Sequence, residues 1–259
     1  IHNFSQQGIF TLSKLKKTGL SAEAQKSFRY KNKLNFMKGG IKYADYVTTV
    51  SPSYADEILK SKKLSDGLNS VLKEKADSFR GILNGIDNIG WNPKKDKNIK
   101  TKLDSDLEEY KYDNKVALIN KFELEFKPKA PIIGMITRID EQKGINLLLE
   151  SAKELFKLDI QFVLLGEGES KLKTKLKNLT KKYPEKFKVI FRFDDSLAHQ
   201  IEAGSDLLLI PSQSEPCGLN LMYSLKYGTP SIVHATGGLK DVAIDANEDA
   251  ENGNAFTFK

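Results

Sequence analysis

The sequence has 259 residues, 39% of them hydrophobic, which is enough for one large or two smaller packed domains and excludes a disordered chain. Its net charge of +7 raises the question of a polyanion partner, but acidic and basic residues are interspersed. No aromatic-interleaved basic groove or zinc-ligand spacing accompanies the charge, so no nucleic-acid partner is expected. Cys217 is the single cysteine, which excludes an intramolecular disulfide and suits a reducing cytosol. No apolar run approaches the roughly 20 residues of a membrane span and no signal-peptide pattern is present, so a soluble cytoplasmic protein without a membrane partner is expected.

The first 80 residues are irregular in pattern. Residues 44–50 read as a strand, followed by the helix-start signal Ser51-Pro52-Ser53 and a helix over residues 54–60. GILNGID, residues 81–87, has the glycine and asparagine turn chemistry of a hinge. The polar, lysine- and aspartate-rich stretch 94–112 is expected to be an exposed connection. From Ala130 onward short apolar runs alternate with helical periodicity. The strands are predicted at 131–137, 160–166, 188–193, 206–212 and 230–236, and the helices at 145–157, 170–182, 197–203 and after Gly218. Near-continuous apolar strands separated by helices predict a doubly wound α/β domain with a parallel sheet covered on both faces. The lysine run 171–182 places Leu172, Leu176 and Leu179 at helical spacing, so its lysines are expected in solvent. No internal repeat is evident.

Residues 214–241, SEPCGLNLMYSLKYGTPSIVHATGGLKD, carry the densest functional signal. A carboxylate and four glycines fall in the turns of a strand–helix–strand unit. Glu215 lies in the turn and helical spacing begins just after Gly218. In an open parallel sheet, ligands bind in the crevice beyond the carboxyl ends of the strands, where the helix start also aims its unpaired N–H groups. Glu215 could there receive sugar hydroxyls while the N–H groups receive phosphate; capping of the helix by Glu215 is the other reading.

This passage resembles the donor-binding segment of bacterial glycogen synthases and plant starch synthases. IHNFSQQGIF at Ile1, KGGIKYADYVTTVSPSYADEI at Lys38, GILNGIDNIGWNP at Gly81 and ITRIDEQKGINLLLESAKEL at Ile136 resemble the same family in the same order. The resemblance implies an α/β fold of two Rossmann-like domains (GT-B type). Residues 1–83 would be the rear part of an N-terminal, acceptor-side domain plus hinge, and residues 84–259 a nucleotide-sugar-binding domain. It implies transfer of glucose, with retention, from ADP-glucose to the non-reducing end of an α-1,4-glucan, without metal or cofactor; UDP-glucose remains open as the donor.

Such a transfer chiefly requires fixed cations where charge builds up on the departing diphosphate. The resemblance assigns that task to Arg138 and Lys143, and places Glu215 and His2 against the transferred glucose. It places nucleotide contacts at Phe193 and around Ala198-His199, phosphate or ribose contacts at the backbone of Cys217, Gly218 and Leu219, and a second glycine block at Thr236, Gly237 and Gly238. Core packing of Phe193 and a plain turn at 236–238 remain the alternatives. Gln6 stands where the family usually has an aromatic residue. Tyr223 occupies the position at which many related transferases carry a second glutamate, which favours a polyglucan synthase.

The family's N-terminal Lys-Thr-Gly-Gly loop is not in the sequence, Ile1 is not methionine, and Lys259 precedes the family's closing helices. A fragment is therefore expected, which by itself binds nucleotide weakly and does not elongate glucan. The rival expectations are a catalytically silent glucan- or nucleotide-binding protein and a polyanion-binding protein driven by the net charge.

Overall fold

Short polar-flanked strands and capped helices occupy the first part of the chain. In the computed structural model, which describes residues 1–104, 106–127 and 129–259, this part is β1 (Ile9–Thr11), α1 (Ala22–Phe28), β2 (Arg29–Tyr30), β3 (Lys33–Asn35), α2 (Phe36–Tyr43), β4 (Val47–Thr49), α3 (Pro52–Lys60), α4 (Asn69–Lys73) and β5 (Phe79–Gly81). Strands β1, β3 and β2 form an antiparallel sheet, while β4 and β5 pair in parallel across α3 and α4. Ser51 caps α3 by accepting the Tyr54 N–H at 3.1 Å, with Pro52 at the first helical position, where its missing N–H costs nothing. Phe4, Ile41, Tyr54, Ile58, Leu72 and Phe79 build the core. A Cβ on Gly81 would lie 2.1 Å from the Ser51 carbonyl oxygen, so the first glycine of GILNGID lets β5 run beside the cap.

The second part contains α5 (Leu107–Phe122), β6 (Ile132–Ile136), α6 (Ile145–Leu155), β7 (Gln161–Leu165), α7 (Ser170–Lys182), β8 (Phe187–Ile190), α8 (Asp195–Gly204), β9 (Leu207–Ile210), α9 (Leu219–Lys226), β10 (Ser231–His234), α10 (Gly238–Val242) and β11 (Ala255–Phe258). Its strands form one parallel sheet in the order β11-β10-β9-β6-β7-β8. The chain builds outward from β6 through β7 to β8, then returns to the other side of β6 and builds outward through β10 to β11. Alternate side chains serve opposite faces: Ile133, Met135, Phe162 and Leu164 pack with α6 and α7, whereas Ile132, Val163, Leu165 and Leu208 pack with α5 and α8. The doubly wound parallel sheet expected from the apolar runs is present. The two units separate at Ile1–Asn84 and Gly85–Lys259.

The stretch 94–112 is mostly exposed among its described residues, as its composition suggests, but its anchoring to the interior was not foreseen. Asp96 and Ile99 are buried, α5 has begun by Leu107, and Tyr110 is fully buried. Asn114 holds the preceding loop, accepting the Lys100 N–H at 2.9 Å and donating to the Thr101 carbonyl at 2.8 Å. Strand β11 was not foreseen either; its four residues carry no apolar run of strand length. Among the described residues, no helix is long and apolar enough to cross a membrane.

Glu202 of α8 is 1% exposed, and no hydrogen bond reaches its Oε2 among the described residues. Burial raises its carboxyl well above the ordinary 4.5, and Lys111 offsets this only in part. Lys111, itself pushed down to about 8 by burial, donates to the Ser205 carbonyl at 2.7 Å and the Thr229 hydroxyl at 2.6 Å. The folded state thus keeps the Glu202 proton where the unfolded chain has released it. This contribution to stability is whole below the ordinary carboxylate range and declines as pH rises above it. Glu202→Gln is expected to flatten the fall in urea midpoint between pH 5 and 7; an equal fall in the variant would refute a neutral Glu202.

Candidate active site at the switch of the parallel sheet

Strands β6 and β9 are neighbours in the sheet, pairing Ile133 with Leu207 and Gly134 with Leu208, yet the chain leaves them towards opposite sides. This reversal opens a crevice at their carboxyl ends, the usual ligand position in such sheets. Two of the motifs singled out in the sequence meet there. The loop after β6 carries Arg138 and Lys143, and the loop after β9 carries Glu215. Lys143 Nζ lies 2.6 Å from Glu215 Oε2, and Ser212 Oγ donates to the same oxygen at 3.0 Å. Both charged side chains are mostly buried, at 19% and 14% exposure. Arg138 is more open, pairing at 3.3 Å with Asp140, whose other oxygen accepts the Lys143 N–H at 2.9 Å.

Backbone constraints fix these loops. Gly144 has φ +75, and a Cβ there would stand 2.0 Å from the Pro211 carbonyl oxygen, so the β6 and β9 loops touch directly. Gln142 reinforces the contact, its amide donating to the Ser214 carbonyl at 3.1 Å and its carbonyl accepting the Gln213 N–H at 2.8 Å. Asn220 of α9 donates to the Ile136 carbonyl at the end of β6, at 2.7 Å. His234, at the end of β10, contributes Nδ1–H to the Ser212 carbonyl at 2.7 Å. Helix α9 starts at Leu219 behind Gly218, which has φ +83, and no side chain caps its first turn. Glu215 therefore does not cap this helix; its carboxylate is turned to Lys143 and Ser212.

The second glycine block supports the first. Gly238 N–H donates to the Glu215 carbonyl at 2.8 Å, and a Cβ on Gly238 would fall 2.3 Å from the Cys217 carbonyl oxygen. Thr236, Gly237, Gly238 and Cys217 are all buried, so this turn is packed beneath the Glu215–Gly218 loop. Phe193, between β8 and α8, is 85% exposed, which rules out core packing for it. His199 differs: it is buried, with Nδ1 2.6 Å from Asp96 Oδ2, and so is removed from the nucleotide contact expected around it. His2 is exposed in the first unit, two residues before the fully buried Phe4. Among the described residues, no group of three or more His, Cys, Asp or Glu is placed to hold a metal ion.

Sequence reasoning missed the cluster beside the crevice. Trp91 stacks on His199 at 3.8 Å and on Tyr223 at 4.0 Å between ring centroids, and Tyr227 donates its hydroxyl to Asp96 Oδ2 at 2.5 Å. The available signal was an aromatic and an aspartate within a polar stretch, next to the GILNGID turn.

The family model for Glycosyl transferases group 1 matches residues 117–259, more than half of the chain. The chain belongs to the Glycosyl transferases group 1 family. The model for the Starch synthase catalytic domain matches residues 1–74 of this group 1 chain. A glycogen synthase of Thermosipho africanus is 42% identical over 261 residues, covering 100% of this chain and 54% of that protein. A glycogen synthase of Cellvibrio japonicus is 40% identical over 262 residues, with 100% and 54% covered. Among solved structures, the catalytic domain of starch synthase IV from Arabidopsis thaliana, bound to ADP and acarbose, superposes with a TM-score of 0.90 and 34% identity, covering 99% of this chain and 55% of that one. Sucrose-phosphate synthase from Thermosynechococcus elongatus, at 19% identity and a TM-score of 0.57, shares the fold. The resemblance read from the ordered motifs and the two-domain GT-B fold class are both borne out. The chain spans about half the length of the curated relatives it matches.

Because Gly144 combines a left-handed φ with contact to Pro211, Gly144→Ala is expected to lower unfolding free energy by about 1–3 kcal/mol. Denaturant titration checks this, and an unchanged midpoint would contradict the close approach of the two loops.

Proposed function

We propose that this chain supplies the nucleotide-sugar side of a retaining glucosyltransferase that extends an α-1,4-glucan at its non-reducing end from ADP-glucose, in the cytoplasm and without a cofactor. The observation that carries the reading is the Lys143–Glu215 pair in the crevice between β6 and β9. Its strongest support from relatives is the starch synthase structure with ADP and acarbose.

In this reading the diphosphate lies between the exposed guanidinium of Arg138, the Lys143 ammonium and the uncapped start of α9. The N–H groups and dipole of that helix favour an anion. As the bond from glucose to the diphosphate lengthens, negative charge grows on the leaving oxygen, and cations already in place stabilise it without reorganising. Glu215 Oε2 is occupied by Lys143 and Ser212, which directs Oε1 to the sugar hydroxyls. The exposed ring of Phe193 offers a stacking face for the base. The backbone of Cys217, Gly218 and Leu219 lines the phosphates, with Thr236, Gly237 and Gly238 holding that loop.

The test is glucose transfer to glycogen, from ADP-glucose and from UDP-glucose, by a polypeptide of the relatives' full length that carries this sequence. Arg138→Ala and Lys143→Ala are each expected to lower kcat by about 10²–10³-fold, the effect of removing a preorganised charge-stabilising group. Glu215→Gln is expected to lower kcat/KM while preserving ADP binding. Absence of transfer from both donors, with ADP still bound, would reassign the protein as a silent nucleotide-binding protein.

A further inference from the structure

Trp91 lies outside the loops that form the crevice, and none of the roles proposed above uses it. Its ring is nearly parallel to both neighbours, inclined by 13° to His199 and 12° to Tyr223, with centroid separations of 3.8 and 4.0 Å. Two near-parallel rings that close to one ring must occupy its opposite faces, so the indole is the middle layer of a three-ring stack.

The outer rings come from corresponding places on two helices. His199 is the fifth residue of α8 and Tyr223 the fifth residue of α9. Each ring is therefore one turn, or about 6 Å along the axis, from the start of its helix. The start of α8 follows Phe193 directly and is capped by Asp194, which accepts the Leu197 N–H at 2.9 Å. The start of α9 follows Glu215 and Gly218.

A second strut joins the same helices. Asp96 Oδ2 lies 2.6 Å from His199 Nδ1 and accepts the Tyr227 hydroxyl at the end of α9 at 2.5 Å. Tyr227 also meets the indole edge-on, with centroids 6.0 Å apart. Burial favours a neutral Asp96, but the hydrogen bonds from Tyr227, Asn98 and His199 outweigh it and hold the carboxyl below its ordinary range.

We propose that Trp91 is a positioning residue, a spacer that sets the separation of the α8 and α9 starts and so determines how tightly the nucleotide diphosphate is held between Phe193 and the first turn of α9. This rests on the reading of the crevice as a nucleotide-sugar site. Ordinary core packing by Trp91 would stabilise the fold without acting on ligand affinity, so affinity and stability must be measured separately.

The probe is ADP, titrated calorimetrically into a folded polypeptide of the relatives' full length that carries this sequence. Trp91→Leu is expected to weaken ADP binding about tenfold, because two aromatic stacks are lost, whereas Trp91→Phe retains a ring and should stay within about threefold of wild type. Leu176→Ala, in the separate α6–α7 core, controls for stability: it should lower the unfolding midpoint and leave ADP affinity unchanged. Should Trp91→Leu fail to fold, Tyr223→Leu removes the same stack from its other side and should show the same loss. Wild-type affinity in Trp91→Leu, or an equal loss in Leu176→Ala, would overturn the positioning role alone. A wild-type full-length polypeptide that binds no ADP would overturn the nucleotide reading and the positioning role together.

Discussion

The site depends on β6 and β9 lying side by side while their loops depart in opposite directions. Gly134, in the middle of β6, lets α8 pack closely over this pair of strands. A Cβ there would stand 2.4 Å from Ser205 Oγ and 2.7 Å from Ile201 Cγ2, so any larger residue would push α8 away from the sheet. Gly144 meets the same requirement one loop later, where only a glycine lets the β6 loop touch the Pro211 carbonyl. Lys143, one residue before Gly144, is thereby carried within hydrogen-bonding distance of Glu215. Lys143 and Glu215 are placed by backbone contact, and the ion pair follows from that placement.

The Lys143–Glu215 pair is largely withdrawn from water, and such a pair adds little net folding energy because the cost of desolvating the two charges offsets their attraction. Its effect lies in orientation. Glu215 is held by a cation and by Ser212, and Ser212 is itself held through its carbonyl by His234, so the carboxylate is fixed from β6, β9 and β10 at once. Such a group loses little further freedom when a ligand arrives, which is the condition under which a fixed charge acts most strongly on a developing one.

The parallel sheet was legible because buried strands such as residues 131–137 and 160–166 are almost wholly apolar. Arg138, Lys143 and Glu215 were legible as members of motifs, although their meeting depends on strand order, which periodicity does not encode. The burial of Asp96 within a mostly exposed segment was not legible, because a polar side chain gives the same compositional signal whether it is solvated or buried with partners. Asp96 is satisfied by Tyr227, His199 and Asn98, residues far apart in sequence except for the last. Gly238 was read equally well as ligand contact or plain turn. Its constraint comes from Cys217, which only the packed structure brings alongside.

Phe193 and His199 show how one short segment can serve two ends. They are six residues apart, and both fall where the family resemblance suggested the nucleotide. Asp194 caps α8 between them, so the chain changes from extended to helical directly after Phe193. That change leaves the phenylalanine ring in solvent while the first turn of the helix carries His199 into the interior, against Trp91 and Asp96. A buried imidazole must have its polar atoms satisfied, and Asp96 meets that condition at Nδ1.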